Sequence, residues 1–98
     1  MKLYTLNRAV VILAIKKRHI ESLKSEIDCI YPSWRLDPHI VQMIRIANEV
    51  CMIWIKSAAL YDKYKTEETE KEMIEKEEKW KQCRKECIDL ANLWVNSS

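Results

Sequence analysis

The 98-residue chain has no glycine and no phenylalanine, and only two prolines. Glycine supplies the positive-φ positions of tight turns, hairpins and phosphate-cradling loops. Its absence excludes P-loops, dinucleotide fingerprints, EF-hands and nucleophile elbows, each of which requires it at a fixed place. A β-sandwich with many tight turns is disfavoured on the same ground. Long uncharged hydrophobic runs are also lacking. The apolar stretch Ala9–Ile15 covers seven residues and meets Lys16, Lys17 and Arg18, while Ile40–Ile55 is interrupted by Gln42, Arg45, Asn48 and Glu49. A membrane-spanning helix needs about 20 apolar residues, and a secretory leader needs a small-residue cleavage site. Neither pattern is met. The expectation is a soluble, cytoplasmic protein with no membrane partner, whose four cysteines are free thiols.

What the chain does have is 48% apolar and 33% charged residues, an ordinary globular balance. Its net charge of +2 is too small to imply nucleic acid by itself. That charge is unevenly spread: residues 1–66 carry 11 basic against 6 acidic side chains, and residues 67–98 carry 6 against 9. Lysine, isoleucine and asparagine total 28, against 8 for alanine, glycine and proline, a bias typical of A/T-rich genes. Low-GC bacteria, their phages and some eukaryotic viruses fit that signature.

Three segments show helical periodicity. In the first, Leu6, Leu13, Ile20 and Ile27 recur every seven residues, which predicts a helix over about 5–29, capped by Thr5 or Asn7. Its Ala9–Ile15 section is apolar on all sides, a pattern normally buried on all sides. Residues 30–37 form a loop containing Pro32. Asp37 followed by Pro38 reads as an N-cap and first helical residue, opening a helix over about 38–64. Two heptad stripes run along it. Ile40, Ile44, Ala47, Cys51, Trp54, Ala58 and Tyr61 form one; Met43, Ile46, Val50, Ile53, Ser57, Leu60 and Tyr64 form the other. Two seams imply two neighbours and a central position. The third helix spans about 67–95 and begins near Thr66 or Thr69, Thr69 with Glu72 fitting a capping box, and has a seam of Met73, Trp80, Cys87 and Trp94. The fold class is therefore all-α: one domain, 1–98, built as a three-helix antiparallel bundle with a long central helix and expected to self-associate. No glycine or proline separates the last two helices, so a fused coiled-coil hairpin is the alternative. The seam changes phase between Tyr61 and Met73, which favours a turn.

The inventory for chemistry is poor. Cys83 and Cys87 lie one helical turn apart, but Cys29, Cys51, His19 and His39 fall at other heights of the bundle. They read as core residues rather than metal ligands. His19 and His39 have no partner at catalytic spacing, so an enzyme is not expected, nor any cofactor or small-molecule substrate. The basic cluster Lys16, Lys17, Arg18, with Arg8 nearby, points all round its helix. It supports an alternative reading as a nucleic-acid-binding subunit making phosphate contacts. The stronger feature is apolar excess. Val11 and Ile15 on helix one, Trp34 in the loop, and Val41, Met52 and Ile55 beside Arg45 on helix two are surplus to the seams. Ile, Met and Trp mixed with Arg is the composition of a partner interface. The expected function is protein–protein interaction, as a phage or viral accessory protein that binds and modulates a host protein.

Overall fold

The structure, a computed structural model, describes the backbone of residues 2–97 and the side chains of residues 12–96. Helix α1 spans Lys2–Ile30, α2 spans Pro38–Tyr64 and α3 spans Glu67–Ser97, with one turn of 3-10 helix at Trp34–Leu36 between the first two. There is no strand among the described residues. The boundaries of α2 are those expected from the sequence. α1 is already helical at Lys2, so neither Thr5 nor Asn7 starts it, and α3 runs two residues beyond 95.

Each junction is built by local chemistry. Pro32 follows the end of α1, and the Tyr31 amide closes a last bond to the Ile27 carbonyl at 2.7 Å. The Asp37 carboxylate accepts from the His39 amide at 2.9 Å while Pro38 occupies the first helical position, where its missing N–H costs nothing. α2 stops at Lys65, which takes the left-handed conformation (φ 48°, ψ 45°) and donates its amide to the Tyr61 carbonyl at 2.7 Å. That position is the one glycine usually fills. The turn is only two residues long and excludes the fused-hairpin alternative. Thr66, rather than Thr69, caps α3. The Thr66 hydroxyl accepts from the Thr69 amide at 3.1 Å, and the Thr69 hydroxyl accepts from the Thr66 amide at 3.0 Å. This is a reciprocal box with threonine in the place of the usual glutamate, and it replaces the expected Thr69–Glu72 pairing.

The three helices run antiparallel, and α2 with α3 make the most extensive contact. The core holds Ile20, Leu23 and Ile27 from α1, Ile40, Ile44, Ala47, Cys51 and Ile55 from α2, and Trp80, Cys83, Cys87 and Ala91 from α3. All lie in the half of the bundle near the α1–α2 junction. Towards the other end, α3 residues 67–79 carry seven glutamates and only Met73 and Ile74 as large apolar side chains. That half of α3 contributes no residue to the buried core among the described side chains. The molecule is accordingly long and flat, 53 × 28 × 18 Å. No described helix is long and apolar enough to cross a membrane.

One seam assignment holds only in part. Met43 and Val50 pack against the core and Ser57 is buried, but Ile46, Ile53, Leu60 and Tyr64 of the same seam, expected inside, are exposed. Ile55, expected as surplus, is buried and Val41 packs against the core. Lys16 of α1 shares a groove with Asn48, Glu49, Met52 and Ile53, so α1 lies beside the stripe thought to be outside.

Candidate functional site

The α1 section expected to be apolar on all sides is only partly covered. Ile12 packs against the core, but Leu13 is 52% exposed, Ile15 is 40% exposed and Ala14 is exposed between them. The periodic stripe that supplies Ile20 and Ile27 to the core thus leaves it at Leu13. Beside this section lies a shallow groove between α1 and α2, lined by Lys16, Asn48, Glu49, Met52 and Ile53. Its floor is apolar and its rim carries one cation and one carboxylate.

The surplus residues named from the sequence do not form one patch. Ile15 and Arg45 are exposed, Met52 and Val41 are half-buried, and Val11 lies outside the described side chains. Trp34 and Ile55 are each only 5% exposed and belong to the core, which corrects their assignment to an interface. Trp34 looked like a loop residue because the linker contains Pro32. The 3-10 turn instead swings its indole inward, where the ring N–H donates to Asp28 Oδ1. Arg35 donates to the same oxygen at 2.9 Å and lies 4.3 Å from the indole centroid. Both hydrogen bonds, that of Trp34 first, hold the Asp28 carboxyl below its ordinary value. Asp28 therefore clamps the corner between α1 and α2.

The basic cluster is split by the helix. Lys17 and Arg18 face solvent, Lys16 sits half-buried at the groove, and Arg8 lies outside the described side chains. His19 turns inward against Trp54, with ring centroids 5.0 Å apart, and towards Trp80 at 6.1 Å. Trp54 and Trp80 are themselves nearly parallel, 6.5 Å apart. This aromatic cluster closes the core where the bundle loosens. Three consecutive cations and a histidine thus serve different surroundings rather than one phosphate-facing stripe.

Cys51, Cys83 and Cys87 are buried and Cys29 is exposed. Burial pushes the Cys51 thiol up to about 11 and the Cys87 thiol up to about 12, and raises Cys83 as well. A buried thiol held protonated behaves as a small hydrophobe and is a poor nucleophile. Among the described residues no three His, Cys, Asp or Glu side chains converge on a point that suits a metal ion.

The sequence reading missed the exposed stripe on α2: Ile46, Ile53 and Leu60 at seven-residue spacing, with Tyr64 one turn beyond. Its heptad signal was visible, but periodicity alone does not say which of two adjacent stripes a neighbour will cover. Compared with protein-family models, curated proteins and solved structures, the chain matches none.

Proposed function

We propose that this protein acts by binding another protein, without catalysis, through apolar helix surface that its own bundle leaves uncovered. The observation that carries this reading is the exposure of Leu13 and Ile15 in a helical section apolar on every side, beside the Lys16–Met52 groove. Isolated surface hydrophobes are ordinary, but consecutive ones continuous with a groove suit a partner helix or strand. The composition bias towards lysine, isoleucine and asparagine is the ground for placing it among phage or viral accessory proteins that modulate a host protein.

The test is affinity capture from the native host with three baits, followed by mass spectrometry. The wild-type chain and a Lys16→Glu/Lys17→Glu/Arg18→Glu variant are expected to retain the same protein partner, and a Leu13→Lys/Ile15→Lys variant to lose it. The reverse pattern, with charge reversal abolishing binding and steep weakening in salt, replaces this reading with phosphate contacts to nucleic acid.

A further inference from the structure

The exposed stripe of α2 has a second property: its flanking charges are arranged for pairing with itself. Ile46, Ile53 and Leu60 lie at one heptad position, and Gln42, Glu49, Lys56 and Lys63 lie along the adjoining edge, also seven residues apart. Ile46, Ile53 and Leu60 are exposed, as are Gln42, Glu49, Lys56 and Lys63. We propose that this face is the docking surface for a second copy of the chain, the two α2 helices packing antiparallel about a two-fold axis at Ile53. The proposal rests on reading the chain as a contact protein; it leaves out Leu13 and Ile15 but shares Glu49 and Ile53 with the groove beside Lys16.

The register follows from placing Ile53 against its own copy. Ile46 then lies opposite Leu60 of the second chain, and Leu60 opposite the second Ile46, so the apolar stripe is covered along its length. Glu49 falls within one residue of the level of Lys56 in the other chain, and the two-fold axis repeats that pair. Gln42 comes beside Lys63 in the same way, and no like charges meet along this edge. A parallel in-register pairing sets this edge against the opposite one, Met43, Val50 and Ser57, and leaves Glu49 and Lys56 without each other. Charge therefore selects the antiparallel arrangement, as e/g-type positions do in coiled coils. The contact is isologous and closes at two chains.

The surface balance points the same way. The chain exposes 7123 Å². A compact monomer of 11.7 kDa exposes about 5900 Å², leaving a surplus of roughly 1200 Å². A standard interface removes about 800 Å² from each partner, less than that surplus.

The experiment is sedimentation equilibrium on the full chain and its variants, with helical content checked by circular dichroism. The wild type is expected to sediment as a dimer, twice 11.7 kDa. Ile53→Glu places two carboxylates on the axis and should raise the dissociation constant by about 30-fold or more at unchanged helicity. Glu49→Lys should weaken the dimer, and the double exchange Glu49→Lys/Lys56→Glu should restore it. Orientation is read from oxidation in a Cys29→Ser background: Ile53→Cys should form a covalent dimer and Ile46→Cys should not. A wild type that stays monomeric at several hundred micromolar overturns the proposal. A dimer that survives Ile53→Glu but dissociates on Leu13→Lys/Ile15→Lys also overturns it. Capture of a host protein is scored on the Leu13→Lys/Ile15→Lys variant, whose residues lie outside the stripe, so the two readings fail separately.

Discussion

Asp28 ties the last turn of α1 to the 3-10 turn that follows it. It accepts from both Trp34 and Arg35 at the corner where α1 gives way to the 3-10 turn. Those bonds favour the carboxylate and lower its pKa from the ordinary 3.8. A group whose folded pKa lies below its unfolded one adds stability above the unfolded value and loses it as pH falls through the folded value. In an acid titration followed by tryptophan fluorescence, the wild type should therefore lose stability below about pH 4, and Asp28→Asn should lose measurably less over that window. The difference will be small, because the carboxylate is 42% exposed and solvent screens it. The buried thiols work at the opposite end of the scale. The sequence showed that Cys51, Cys83 and Cys87 lie on apolar seams. That Trp34 is core was not legible, because its position depends on a linker conformation that no periodicity encodes.

Among the elements, the starts and stops followed local rules, some of them readable. Asp37 and Pro38 announced α2 because capping needs only the residues themselves and the next two amides. The start of α3 was readable only to within one turn. Thr66 and Thr69 are both competent caps, and the choice falls to the residue next to the point where α2 stops. That stop is unusual. In a chain without glycine, Lys65 takes the left-handed position and bears the steric cost of its Cβ. Lys65→Gly is expected to raise unfolding stability by about 1 kcal/mol, read from the midpoint of a denaturant titration. Lys65→Ala keeps the Cβ and should change it little. If glycine proves neutral, the left-handed turn is not costing what its geometry implies.

At the scale of the whole molecule, the buried core among the described side chains lies towards the α1–α2 junction. Leu13 and Leu23 are both leucines of one helix, ten residues apart, yet Leu23 is fully buried and Leu13 is half exposed. Leu23→Ala should cost about 2–5 kcal/mol in chemical denaturation, by lost burial and the cavity left behind. Leu13→Ala should cost no more than about 0.5 kcal/mol. Equal losses would mean that the start of α1 is packed as well as its end. The same division accounts for the elongated outline and the surface surplus.

The sequence by itself determined the helices, the position of α2 between two neighbours and the burial of three cysteines. These follow from spacing along one chain, because helical periodicity and capping act over at most a few residues. Only the tertiary structure decided which face of α2 meets α1. Two adjacent heptad stripes of similar composition are both fit to be covered, and their periodicity is the same. In the fold the two stripes part at neighbouring residues: Ile55 is buried and Ile53 is exposed.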